Sequence, residues 1–132
     1  MNPPAAVLVP LNSSQLSNVA AFIRVLNADE NSRQAIELIE YSEMLSREKD
    51  KETNVKLAIS EIEDALMVLN ESRLHSTDAV PLYKGALKKL NRRKSSSFSG
   101  IDLTSVKAIL EDTRTVLINR RDDLYAEEQE EN

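Results

Sequence analysis

The chain has no cysteine, no tryptophan and only two glycines in 132 residues. Without thiols there is no disulfide framework and no cysteine-based metal or nucleophilic chemistry, so the fold must rest on side-chain packing. Aromatics at 4%, together with so little glycine, argue against a β-sandwich or barrel, whose strands and turns draw on both. No stretch approaches the roughly 18 consecutive apolar residues of a membrane span. The first residues, Met1 to Pro10, are apolar in part but carry no basic segment and are interrupted by Pro3, Pro4 and Pro10. A signal peptide is therefore not expected, and cytoplasmic residence, with the nucleus as the alternative, is the working expectation. The sequons Asn12-Ser13-Ser14 and Asn70-Glu71-Ser72 are then chance matches.

Catalytic residues are scarce as well. His75 is the single histidine, so any Ser-His-Asp arrangement would have to use it, and two Glu-x-x-His pairs for a di-iron site cannot be assembled. A zinc site lacks ligands. Glu61, Glu63, Asp64 and Glu71 read as a solvated helix face rather than a cation site. Gly85 and Gly100 lie too far apart for a phosphate-cradling loop. The expectation is a protein that is not an enzyme and uses no cofactor or metal.

What is abundant is amphipathic helix. Hydrophobic residues make up 41% of the chain and charged residues 30%, with a net charge of −5. The residues at 1–12 read as an extended arm whose Val7, Leu8 and Val9 can dock on the bundle or on a partner. A first helix is expected from Ser13 or Ser14 to about Leu26, with Leu16, Val19, Ala20, Ile23 and Leu26 on one side. Asn27 to Asp29 then supply a turn, and a second helix runs from about Glu30 to Arg47. The charged run Arg47 to Glu52 is either a solvated mid-helix turn or a short break. The third helix, about Thr53 to Leu74, has the cleanest seam: Val55, Ile62 and Leu69 at seven-residue spacing, Ala58 and Ala65 three further on, and Ile59 and Leu66 beside them. A fourth spans about Ala79 to Arg93, with Pro81 in its first turn and Gly85 either weakening it or permitting a close approach.

Asp102 is positioned to cap the last helix, about Leu103 to Glu127, in which Leu103, Leu110, Leu117 and Leu124 recur every seven residues. Their companions decay from Val106 through Thr113 to Arg120, so Leu103, Ile109, Leu110, Val116 and Leu117 are assigned to the core, and Leu124 and Tyr125 are left over for a partner. Lys107, Arg114 and Arg121 form a basic rail beside the leucines that calls for an acidic neighbour, with Glu37, Glu40 and Glu43 or Glu61, Glu63 and Asp64 available within the chain. The residues at 128–132 form an acidic tail expected to fray. The fold class is an all-α, up-and-down antiparallel bundle of four to five helices occupying 13–127.

Two further features bear on partners. No acidic residue occurs between Asp78 and Asp102, and Lys84, Lys88, Lys89, Arg92, Arg93 and Lys94 form a basic ridge. It suits an acidic protein surface or nucleic acid, or is simply solvated. Arg92-Arg93-Lys94-Ser95-Ser96-Ser97 also has the basic-then-serine pattern accepted by basophilic kinases, marking Ser95 and Ser96 as candidate phosphorylation sites beside the ridge, unless the stretch is only a polar linker. Phe98 stands out in that serine stretch as a plug or a contact. The sequence thus points to a non-enzymatic interaction module, an adaptor, assembly subunit or secretion-type chaperone, that binds a protein and can be a homo-oligomer. Nucleic-acid association through 84–94, or a structural role in a symmetric assembly, are the alternatives.

Overall fold

Residues 12–70, 78–91 and 101–130 are described here from a computed structural model, and the side chains of 13–17 and 127–130 are left aside. Four α-helices account for nearly all the described residues: α1 (Ser13–Met44), α2 (Glu48–Asn70), α3 (Ala79–Leu90) and α4 (Leu103–Glu130). Each packs on its sequence neighbour and α4 closes back on α1, giving an all-α bundle. Arg24 donates to the Val68 carbonyl at 3.4 Å, while a turn at Leu45 to Arg47 joins the other ends, so α1 and α2 run antiparallel.

The buried side of α2 is Val55, Ala58, Ile62, Ala65 and Leu69, a three-four alternation that follows the sequence pattern residue for residue. Residues in that alternation fall on one helical stripe, and the two alanines let the neighbouring backbone approach. α4 buries Val106, Leu110, Thr113, Leu117 and Leu124 in the same way. Thr113 interrupts the apolar run without cost to burial, because its hydroxyl donates to the Ile109 carbonyl at 2.7 Å. Leu103, Ile109 and Val116 flank this seam, partly buried.

α1 departs from expectation. It is one continuous helix across Asn27 to Asp29, where a turn was expected. No glycine or proline interrupts the segment, Ala28 is buried within the core, and Asp29 is held by Arg114 on α4 at 2.9 Å. The buried line is Asn18, Ala21, Val25, Ala28, Ser32, Ala35, Ile39 and Ser42, mostly small or polar residues. The larger Val19, Ile23 and Leu26, expected in the core, lie outside it. Small residues on α1 face a bundle centre already filled by α4 leucines and by Tyr83. From α3 the Tyr83 hydroxyl reaches across to α1, 3.1 Å from the Ala28 carbonyl and in hydrogen-bond contact with the Ser32 hydroxyl, and its one proton serves one of these acceptors at a time. Ser32 also bonds to the Ala28 carbonyl at 3.0 Å. Burial pushes the Tyr83 phenol pKa up, so the proton stays available to donate.

The charged run after Arg47 is neither a mid-helix turn nor a break: the break precedes it, and Glu48 opens α2. The Arg47 carbonyl accepts from Asp50 and Lys51 N–H at 3.1 Å each. Glu48 and Asp50 stand in the first turn, where carboxylates favour the positive end of the helix dipole. Asp102 caps α4 as expected, accepting from Ser105 N–H at 3.1 Å and from its hydroxyl at 2.6 Å. Those two bonds hold the Asp102 carboxyl below its usual range. Gly85 makes no close approach: a methyl group there would meet nothing within 4 Å. α4 stays helical to Glu130, past the expected end at Glu127.

A candidate docking cleft between the first and last helices

Unequal helix lengths create the site. Since Arg24 of α1 stands level with Val68 of α2, the last α2 residue, Asn70, stands level with about residue 22 of α1. α1 starts at Ser13, so roughly nine of its residues, about 13 Å at helical rise, extend past the end of α2. α3 begins no lower, because Tyr83, one turn after Ala79, stands level with Ala28 and Ser32. Beyond that level the described helices are α1 and the C-terminal end of α4 alone.

From that end to Leu26, which stands level with the last turns of α2, the outer stripe of α1 is apolar. Val19 is 39% exposed, Ile23 50% and Leu26 41%, and Tyr125 on α4 is 61% exposed. Between the two helices lies a cleft of about 310 Å³ lined by Asn18, Val19, Phe22, Leu124 and Tyr125. The same stripe of α1 changes character at Glu30. Its continuation is Glu30, Arg33 and Glu37, joined by ion pairs from Arg33 to both carboxylates. Hydrogen bonds from Arg33 and then Gln34 hold Glu30 down to about 2. This apolar stretch lies at the end where the bundle thins and gives way to charge from Glu30 to Glu37, while Tyr41 and Met44 are exposed further along α1.

Two other grooves are more polar. One of about 380 Å³ between α1 and α2 sets Leu38, Tyr41 and Leu57 among Gln34, Glu37 and Glu61. Glu61 is raised above the ordinary carboxylate value, by burial first and then by the charges of Asp64 and Glu30. The other, at the opposite end of the bundle, is walled by Ser42, Glu43, Lys51 and Asp102 among apolar residues. Among the described residues no group of three or more His, Cys, Asp or Glu side chains could hold a metal ion. No described helix is long and apolar enough to cross a membrane.

The candidates read from the sequence are redistributed. Lys107 pairs with Glu43 at 2.7 Å and Arg114 with Asp29 at 2.9 Å, so two cations of the rail hold α4 to α1. These hydrogen bonds raise both cations above their usual pKa values. Glu43 was among the acids anticipated; Asp29 was not, having been placed in a turn. Arg121 pairs with its neighbour Asp122 at 3.2 Å. Leu124, assigned to a partner, is 1% exposed and belongs to the core, because the α4 seam runs on past Arg120. It forms the floor of the cleft, and Tyr125 beside it stays open. Lys84 and Lys88 are exposed and Lys89 half-buried on α3, a helix without an acidic residue. Arg92, Arg93, Lys94, Ser95, Ser96 and Phe98 lie outside the described residues, as do His75 and the arm with Val7, Leu8 and Val9.

The sequence reading missed Val19, Ile23 and Leu26 as surface, and Phe22 as cleft wall. Their spacing matches a core stripe as well as the true one does. The signal that separates the two is length: the small-residue line keeps its alternation from Asn18 to Ser42, whereas the larger one meets Glu30, Arg33 and Glu37 after two turns. Comparison of the chain with family models, curated proteins and solved structures finds no match.

Proposed function

We propose that the protein is a non-enzymatic interaction module, of the adaptor, assembly-subunit or secretion-chaperone kind, that binds a helix of a protein partner in the cleft between α1 and the C-terminal end of α4. One observation carries this reading: Val19 and Tyr125 stand exposed on the walls of an apolar cleft floored by Leu124, and Ile23 and Leu26 continue the exposed stripe of α1 from Val19. Isolated exposed apolar residues are ordinary, but a contiguous set around a concavity is the kind of surface that binds protein. An amphipathic helix suits it, because its anchors at i, i+3 or i+4 and i+7 match two turns of α1. Affinity purification from native lysate with wild type and with Ile23→Glu tests the reading. A partner held by wild type and lost from the folded variant is the expected result, and an unchanged set of captured proteins overturns it.

A second reading is nucleic-acid binding through α3, favoured by Lys84, Lys88 and Lys89 on a helix with no acidic residue. It requires capture that nuclease removes and that weakens steeply with salt.

A further inference from the structure

We infer that the groove between α1 and α2 is a second docking surface, one that takes a protein segment presenting an arginine beside an apolar side chain. It shares no lining residue with the α1–α4 cleft and calls for a different occupant. Apolar contact comes from the exposed Tyr41 and Leu57 and the half-buried Leu38. Gln34 to Tyr41 spans seven residues, about 10.5 Å along α1, room for two side chains of an occupant.

Charge supplies the other half. Glu37 and Glu61 line the same groove, one on each helix. Glu30 stands one turn before Gln34, and Asp64 one turn after Glu61, so both helices carry the acidic stripe onward. Against these four acids the stretch has one base, Arg33, a net charge of 1 − 4 = −3. Arg33 is held by Glu30 and Glu37. Even counting Arg24, which donates to the Val68 carbonyl one turn past Asp64, the balance is 2 − 4 = −2. Among the described residues no cation pairs with Glu61 or Asp64. The Asn31 amide, oriented to suit its neighbours, donates to Glu61 at 3.3 Å but brings no charge. Burial and then the negative charges of Asp64 and Glu30 hold the Glu61 carboxyl above its usual range, a penalty that an incoming cation relieves. The bases of α2 are elsewhere: Lys56 pairs with Glu52 at 2.9 Å, Lys51 lines the groove at the far end of the bundle, and Lys49 stands two turns before Leu57. The C-terminus of α1 and the N-terminus of α2 meet at one turn, so their dipoles offset and side chains set the sign of the field.

A guanidinium answers each of these features. Its planar fork pairs with a carboxylate through two hydrogen bonds, its face stacks on a tyrosine ring, and its weak hydration lowers the cost of entering a half-buried groove. A lysine ammonium gains the charge without the stacking or the fork. Nucleic acid and anionic membranes are repelled by the same carboxylates. A divalent cation lacks ligands, since no three acidic side chains converge among the described residues. A second copy of this chain offers Lys84 and Lys88 of α3, but that helix exposes no large apolar side chain to fill the groove.

The test uses the full chain and three labelled peptides of about 12 residues, each with two leucines flanked by arginine, by lysine or by glutamine. In fluorescence anisotropy at about 50 mM NaCl the arginine peptide should bind at least about tenfold more tightly than the glutamine peptide and about threefold more tightly than the lysine peptide. Both margins should shrink at about 500 mM. Glu61→Gln keeps the fold, because the charge it removes is penalised there, and should weaken the arginine peptide at least about fivefold. Tyr41→Ala, at an exposed position, should weaken it at least about threefold. Glu63→Gln, which removes the same charge from the opposite side of α2, should leave binding unchanged. Equal binding of the arginine and glutamine peptides, failure of all three at about 1 mM, or arginine binding that survives both Glu61→Gln and Tyr41→Ala overturns the inference and leaves the α1–α4 reading standing. Lysine binding as tight as arginine overturns the assignment of the base. Loss of binding in Tyr125→Ala places the peptide in the other cleft, and a wild-type oligomer in sedimentation that Glu61→Gln dissociates gives the groove to a second copy; either result overturns this occupant.

Discussion

Leu124 and Tyr125 are adjacent in sequence, and truncating each should have opposite consequences. Leu124 is 1% exposed and continues the buried α4 line from Leu110 and Leu117. Leu→Ala at such a site loses the transfer free energy of the side chain and leaves a cavity, together about 2.7–5 kcal/mol in well-packed cores. Leu124 lies within two turns of the end of α4, at a level where α1 is its main described neighbour, so the surroundings can partly close and about 2–3 kcal/mol is expected. With an unfolding entropy of about 2.1 cal/mol/K per residue, a chain of this length should lose roughly 7–11 °C in Tm. Tyr125→Ala removes a side chain that is 61% exposed and should change stability by no more than about 0.5 kcal/mol. Urea and thermal unfolding followed by far-UV circular dichroism measure both, with sedimentation to confirm an unchanged mass. A cost below about 0.5 kcal/mol for Leu124→Ala, or above about 2 kcal/mol for Tyr125→Ala, would refute the placement of the α4 seam.

Tyr83→Phe removes a hydroxyl from the group formed with Ser32 and the Ala28 carbonyl. Because Ser32 still reaches that carbonyl, the loss in urea unfolding should be about 1 kcal/mol, and adding Ser32→Ala should cost less than the sum of the single changes. Glu61→Gln should stabilise at pH 7 by about a few tenths of a kcal/mol, roughly 1 °C, since the ionised carboxylate is penalised in the fold. That penalty is present above the raised folded pKa and absent once pH falls below the unfolded value, so the gain should vanish near pH 4 in melts across pH. Glu30 has the opposite sign: its contribution is full above its unfolded value near 4.5 and is lost as pH falls toward about 2. Gly85→Ala should raise stability by about 0.5–1 kcal/mol in the same unfolding assay, as the added methyl group meets open space within a helix.

The helices were legible wherever the large apolar residues are also the buried ones. α2 is the clear case: Val55, Ile62 and Leu69 with Ala58 and Ala65 admit one helical face and the structure buries that face. The cap at Asp102 was legible because the capping side chain and Ser105 are local partners. α1 was misread because its buried line is built mostly from Ala, Ser and Asn, with Val25 and Ile39 the only larger members, while bulkier residues at identical spacing lie on the outside. Size, usually a guide to burial, points the wrong way when opposite helices already fill the core. The end of the α4 line was misread for a related reason. Thr113 is a polar core residue satisfied by its own helix, so polarity at that position did not mark the limit of the seam. The cleft depends on helix overhang, which follows from α2 and α3 being shorter than α1 and α4. No local pattern in the sequence records such a difference in level.

The most direct measurement is a backbone-amide NMR titration of the full chain with an amphipathic peptide of about 18 residues that carries leucines at i, i+3 or i+4 and i+7. Saturable shift changes clustered on residues 18–26 of α1 and 120–126 of α4, with the middle of the bundle quiet, are the expected result. Changes centred on α3, changes spread over every helix, or none at peptide concentrations far above the protein would contradict a partner-binding cleft at this end.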